Sequence, residues 1–346
     1  MKQSKILTRI LFAAVLAAAT LVMISLPVMA QNLNAAGATF PYPIYSKWFD
    51  EYHKLHPEIQ INYQSIGSGG GIRQLLAGTV DLGATDGPMT DEQLAQAKFK
   101  IMHFPTVLGA VVPTYNIPGF SGELNFTPEA LAGIFLGQIT KWNDPKITSV
   151  NKGIQLPNQD IVVVHRSDGS GTTYIWTDFL SKVNTEWQTK VSKGTSVNWP
   201  VGLGGKGNEG VMGTVKQIPG SIGYVELIYA VQNNTPYGKV RNSTGAFIKA
   251  DLKSVTEAAA GAAANMPGDF RVSITNAPGK GSYPISSFTW LLVPERFQDA
   301  RKGKVVADFL KWMVTEGQKF CLDLTYAPLP KAVVAMEQKA FSKVTY

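Results

Sequence analysis

The apolar positions of this chain change period several times along its length. Ile59-Gln60-Ile61-Asn62-Tyr63 alternates apolar and polar residues, the two-residue period of a half-buried strand. Val107 to Val112, Ile161 to Val164 and Phe288 to Val293 are short, nearly continuous apolar runs, which suit strands covered on both faces. Between these runs the apolar spacing lengthens to three and four residues. Asp91 to Lys98, Pro128 to Leu136, Tyr174 to Val183 and Gly303 to Thr315 read as helices. Ile44, Trp48 and Tyr52 recur at steps of four behind Pro43, a residue suited to a first helical turn. Ile72, Leu75 and Leu76 repeat the helical spacing. Ala258 to Ala264 reads as a surface helix rich in Ala and Gly. Strands alternating with helices predict an α/β fold, whose ligands gather where strands run into helices.

The first thirty residues follow another rule. Lys2, Lys5 and Arg9 precede an apolar stretch from Ile10 to Leu26, and Val28-Met29-Ala30 resembles a small-residue cleavage site. This is the pattern of a secretory signal peptide, so residues 1–30 are set apart from fold reasoning and the mature chain is expected in the periplasm. A membrane anchor is the competing reading, because the apolar stretch approaches the lower limit of a spanning helix. The basic start and Ala30 favour the signal. No Cys stands near Ala30, so a lipoprotein anchor is not expected. Cys321 is the sole cysteine, which rules out an internal disulfide, and its neighbours Phe320, Leu322 and Leu324 point to a buried thiol. The formal net charge is +7, of which Lys2, Lys5 and Arg9 supply three, leaving +4 on the mature chain. A mild, scattered positive balance steers small anions but is not the clustered stripe of a nucleic-acid binder.

Candidate chemistry sits where predicted helices begin. Arg166-Ser167-Asp168-Gly169-Ser170-Gly171-Thr172 places a guanidinium, hydroxyls and small residues just ahead of the Tyr174 helix. Free N–H groups of a first turn attract anions, small residues let the anion approach, and Arg grips it with paired hydrogen bonds. Gly67-Ser68-Gly69-Gly70-Gly71 and Gly37-Ala38-Thr39-Phe40-Pro41 repeat the theme before their own helices. Each alone reads as an ordinary Ser or Thr cap. Together, with Arg166 among them, they point to an oxyanion site. Asp86, in Thr85-Asp86-Gly87-Pro88, reads on composition as a turn former. Gly202-Leu203-Gly204-Gly205-Lys206-Gly207 fits the dinucleotide fingerprint, with Glu226 downstream, but Asn198-Trp199-Pro200-Val201 is a poor central strand, so a glycine loop near a cleft is the better reading. His53, His56, His103 and His165 lack metal-ligand spacing, and no nucleophile elbow surrounds Ser68 or Ser170.

Through these segments the mature chain resembles the phosphate-binding receptors of phosphate-specific ABC importers. Further matching stretches are Tyr63 to Ser68, Val80 to Asp86, Phe104 to Val107, Gly202 to Asn208 and Gly220 to Glu226. The resemblance implies a two-lobed α/β periplasmic binding protein fold with two chain crossings and a ligand cleft between the lobes. The crossings are expected near Pro113–Asn116 and Tyr283–Ser287. Residues 31–114 and 286–346 then form one lobe and 115–285 the other. It implies a monomeric receptor that binds inorganic phosphate without a cofactor and delivers it to membrane permease subunits of an ABC importer. Its implied phosphate-binding residues are Thr39, Phe40, Ser68, Asp86, Arg166, Ser170, Gly171 and Thr172, with Asp168 orienting Arg166. Gly69 departs from the family pattern, where a second Ser often follows. In the family the carboxylate at Asp86 accepts a hydrogen bond from the proton that phosphate carries and sulfate lacks. The alternatives are an exported enzyme acting on phosphate esters and a receptor for another tetrahedral oxyanion. An enzyme would require a metal cluster, or a nucleophile with its base, beside the anion site.

Overall fold

One strand organises the computed structural model, which describes residues 31–346; the expected signal peptide lies outside the described residues. Strand β4, Ile101–Asn116, runs for 16 residues, buried along almost all of its length. The apolar run Val107 to Val112 is its middle. Two prolines, Pro105 and Pro113, interrupt it in sequence without ending it in space. Pro105 sits where the register against Ser286–Pro294 shifts between Thr289 and Trp290, so a bulge absorbs its missing N–H. Val111 donates to the Ile285 carbonyl on the side away from strand β8 (Ser221–Glu226). Pro113, two residues on, therefore turns its nitrogen to that same side, away from the ladder.

Eight strands form a single mixed sheet in the order β2-β1-β3-β11-β4-β8-β6-β7. At one end lie β1 (Gln31–Gly37), β2 (Ile59–Ser65) and β3 (Leu82–Thr85), all parallel. At the other lie β6 (Val162–Arg166), β7 (Leu203–Gly205) and β8 (Ser221–Glu226), also parallel. Between them β4 pairs antiparallel with β11 (Ser286–Pro294) as far as Ala110, then antiparallel with β8 from Val111 onward. A small second sheet joins β5 (Asn125–Phe126), β9 (Lys239–Arg241) and β10 (Phe247–Ile248). Helices link the parallel strands and bury their apolar faces on the sheet, as the α/β pattern requires. Trp48, Trp142, Trp176, Trp187 and Trp290 are all fully buried in this core. Cys321 is buried too, and that burial pushes its thiol up to about 12.

Several local expectations shift. The helix at Asp91 ends at Ala95. The expected Tyr174 and Gly303 helices begin earlier, at Gly171 and Ala300. Leu252–Ala264 is not a surface helix only, because Ala258 and Ala259 are buried. Of the three predicted hydroxyl caps only Ser170 is one, accepting from Thr173 N–H at 3.0 Å. Pro41 occupies the cap of helix Tyr42–Leu55, and Gly67, at φ +83°, occupies that of Ser68–Ala77. A side chain at Gly67 would overlap the Asp168 carboxylate and the Gly169 carbonyl, so only glycine fits. The Thr39 and Ser68 hydroxyls are thereby left for other work.

Candidate functional site

Every candidate segment lies just past the C-terminal end of a parallel strand. Thr39 and Phe40 follow β1, Ser68 follows β2 and Asp86 follows β3. Arg166 ends β6, with Asp168 to Thr172 in the turn beyond it, and Gly207 follows β7. Two sets of strand ends, one on each side of β4 and β11, therefore face a common crevice, the position at which open α/β sheets hold ligands.

Arg166 is fixed from three directions. Its side chain is 1% exposed. Nε donates to Asp168 Oδ1 at 2.8 Å and Nη2 to Asp168 Oδ2 at 2.6 Å, a two-pronged ion pair. Nη1 donates to Thr172 Oγ1 at 3.2 Å, and the Tyr224 hydroxyl accepts from Arg166 N–H at 3.1 Å. Burial would raise the Asp168 carboxyl, but the Arg166 contacts and a 3.0 Å hydrogen bond from Gly207 N–H hold it below the usual range. The planar fork of Arg166 is thus pinned in one orientation before any ligand arrives.

Ser68 and Asp86 meet the start of helix Gly171–Val183 from the other side. Ser68 Oγ accepts from Gly171 N–H at 3.0 Å and from Asp86 N–H at 3.2 Å. Gly69 N–H donates to the Gly169 carbonyl at 2.8 Å, so the departure from Ser to Gly at position 69 leaves the backbone contact intact. Asp86 is buried. Oδ1 accepts from Thr289 Oγ1 at 2.8 Å, while Oδ2 has no hydrogen-bond partner among the described residues. Burial raises this carboxyl to about 7, against the pull of Thr289, Arg166 and Ser68. A Cβ on Gly171 would come within 2.5 Å of both Asp86 Oδ2 and Ser68 Oγ, so the free carboxylate oxygen lies directly over the first turn of that helix.

Thr39 closes the remaining side. Its carbonyl accepts from Tyr229 OH at 2.6 Å, and the next carbonyl, of Phe40, accepts from Tyr326 OH at 2.6 Å. Asn208 Nδ2 donates to Thr39 Oγ1 at 2.7 Å and to Thr172 Oγ1 at 3.1 Å. Guanidinium, hydroxyls and helix-start N–H groups thus converge near one unpaired carboxylate oxygen. Such a set can hold a protonated oxyanion. Among the described residues no group of three or more His, Cys, Asp or Glu side chains lies together.

Most of the chain matches known relatives. A family profile described as "PBP superfamily domain" matches residues 27–316. The "Phosphate-binding protein PstS" of Pasteurella multocida is 45% identical, with 90% of each chain covered. Its namesake in Methanocaldococcus jannaschii is 39% identical over 83% of this chain and 79% of its own. This chain belongs to the PstS family of the PBP superfamily. Among solved structures, a periplasmic phosphate-binding protein (PfluDING) with bound phosphate matches at a TM-score of 0.71 and 22% identity, covering 89% of this chain and 93% of that one. A putative phosphate ABC transporter substrate-binding protein from Clostridium perfringens matches at 0.64 and 16%, covering 87% and 100%. These two likenesses establish the fold.

Within this PstS-family frame the expected residues fall into two groups. Ser68, Asp86 and Gly171 form one contact set, while Thr39, Arg166, Asp168 and Thr172 form another through Asn208. Ser170 contributes its hydroxyl as the helix cap beside them. His165 stands apart, stacked on Trp199 with centroids 4.8 Å apart. The glycine loop does reach the site, through Gly207 and Asn208. Two participants are not among the expected site residues. Thr289 comes from β11, far along the chain, and Asn208 is an unremarkable polar residue in a helix start. Only the sheet order brings either one in.

Proposed function

We propose that this chain is an exported receptor that captures one inorganic phosphate ion and presents it to the permease of an ABC importer in the cell envelope. The observation that carries the reading is the unpartnered Asp86 Oδ2, buried within reach of a fixed Arg166 and a helix start. Positive and N–H donors alone would accept any oxyanion. The carboxyl makes the site specific for an anion that shares a proton with it. Thr39, Phe40, Ser68, Arg166, Ser170, Gly171 and Thr172 supply the donors, with Asp168 holding Arg166. The naming of the relatives as phosphate-binding proteins supports the same ligand.

Residues 31–114 with 286–346 and residues 115–285 act as two lobes around this crevice. Donors come from both lobes, so the ligand completes its shell only when they close, and closure gives the permease a shape to recognise. No covalent step takes place. The test is calorimetric titration of phosphate, then of sulfate, into phosphate-stripped protein well above neutral pH, where the Asp86 carboxyl is ionised. One phosphate per chain with sulfate far weaker is expected. Equal affinity for the two anions would sink the reading, and turnover of a chromogenic phosphate ester would replace it with an enzyme.

A further inference from the structure

Asn208 neither reaches Asp86 nor pairs with the guanidinium, yet it spends its side-chain amide on the site. The residue is fully buried in the first turn of helix Gly207–Gln217. Its Oδ1 accepts from Glu226 N–H at 2.9 Å. That contact settles which end of the amide is which, because only the oxygen can accept. Nδ2 must then face Thr39 Oγ1 and Thr172 Oγ1, at 2.7 and 3.1 Å. The Asn208 backbone N–H also donates to Thr39 Oγ1, at 3.2 Å.

A threonine hydroxyl has two lone pairs and one proton. Both lone pairs of Thr39 Oγ1 are taken by Asn208. Those of Thr172 Oγ1 are taken by Asn208 Nδ2 and Arg166 Nη1. Each hydroxyl therefore has only its proton left to offer. A freely rotating hydroxyl could turn a lone pair toward an anion and repel it; these two cannot.

We propose that Asn208 is a positioning residue that makes Thr39 and Thr172 obligate hydrogen-bond donors to the bound oxyanion. It also clips the loop after β1 to the helix start after β6, so donor orientation and closure of the crevice arrive together. The proposal rests on the phosphate reading above. Its energetic basis is preorganisation: in the closed crevice both hydroxyl protons are fixed toward the anion, so neither donor has to reorient once the lobes meet.

The test is a mutant cycle read by phosphate calorimetry. It compares wild type, Asn208→Ala, the pair Thr39→Val with Thr172→Val, and all three changes together, with thermal melts to check folding. Asn208→Ala should weaken phosphate about 10- to 100-fold in the wild-type background. In the double-valine background, with no hydroxyls to aim, the same change should cost less than about threefold. With Thr39→Ser and Thr172→Ser, which keep the hydroxyls, the full loss should return. Equal losses in all backgrounds would make Asn208 a structural residue and overturn the proposal. Should Asn208→Ala fail to fold, Asn208→Asp replaces it in the cycle. Asp keeps the shape and the acceptor for Glu226 N–H, but turns lone pairs toward the two hydroxyls and draws their protons inward. Undiminished phosphate affinity in Asn208→Asp would likewise overturn the proposal. Wild-type protein that binds no phosphate refutes the receptor reading, and this proposal with it; normal wild-type binding with additive variants refutes this proposal alone.

Discussion

Asp86 should make anion selectivity depend on pH. Its Oδ2 has no partner among the described residues, and burial holds the carboxyl at about 7. Below that pH the carboxyl keeps its proton and can donate it to any tetrahedral oxyanion, sulfate included. Above it, sulfate meets a bare carboxylate, and binding must first place a proton on Asp86. One proton is then taken up per sulfate bound, so each pH unit above about 7 weakens sulfate about tenfold, or ~1.4 kcal/mol. Between about pH 7 and about pH 9 the loss grows to about a hundredfold. Phosphate brings its own proton through this range, so its affinity should change far less. Asp86→Asn removes both charge and titration while keeping the shape, so the sulfate dependence should flatten. The assay is sulfate competition against phosphate in both proteins at pH 6, 7, 8 and 9. A level sulfate affinity in wild type, or an undiminished slope in Asp86→Asn, would refute the reasoning.

Other outcomes follow from particular contacts. Arg166→Ala should weaken phosphate by about 2–5 kcal/mol, since it strips one partner from a buried pair and leaves Asp168 uncompensated; Arg166→Lys should recover only part, lacking the fork. Calorimetry checks both, and normal binding by Arg166→Ala would displace the site. Gly171→Ala should lower phosphate affinity at least about tenfold and cost about 1–3 kcal/mol of stability, because the new methyl lands on Asp86 Oδ2 and Ser68 Oγ. A chemical melt and one titration decide it. Glu337 is fully buried, neither carboxylate oxygen has a hydrogen-bond partner among the described residues, and burial raises its pKa well above the ordinary value. A carboxyl raised in the folded state destabilises progressively as pH climbs above its unfolded value. Glu337→Met should therefore stabilise the protein by about 1–3 kcal/mol near pH 8 and by less near pH 4. Urea unfolding at both pH values would show the opposite trend if the carboxyl were charged and paired.

Motifs near one another in sequence were readable; contacts made across the sheet were not. The Arg166 to Thr172 segment announced itself because guanidinium, carboxylate and helix start lie within seven positions. Strand β4 was only half visible, since Pro105 and Pro113 look like breakers until a bulge at Pro105 and a nitrogen turned away from β8 at Pro113 are seen to accommodate them. Thr39 and Ser68 looked like caps because glycine-flanked hydroxyls usually are. Gly67 and Pro41 took those positions instead, which changes what the hydroxyls do but not where they lie. Thr289 lay in an apolar strand-like run and Asn208 closed a family-matching glycine loop, and neither was picked out as a site residue. Their roles depend on β11 lying beside β3 and on β7 delivering its helix start to the crevice.

The placement of β11 between β3 and β4 also bears on how this protein is born. During synthesis β1 to β4 emerge early, but β3 and β4 are not neighbours in the finished sheet. Their shared gap is filled by residues 286–294, which are made long afterwards. Until then two apolar strands would carry open edges, and open edges invite wrong partners. The intervening middle of the chain can settle sooner, because β6, β7 and β8 find one another nearby in sequence. The half of the molecule that starts the chain is therefore the half that finishes folding last.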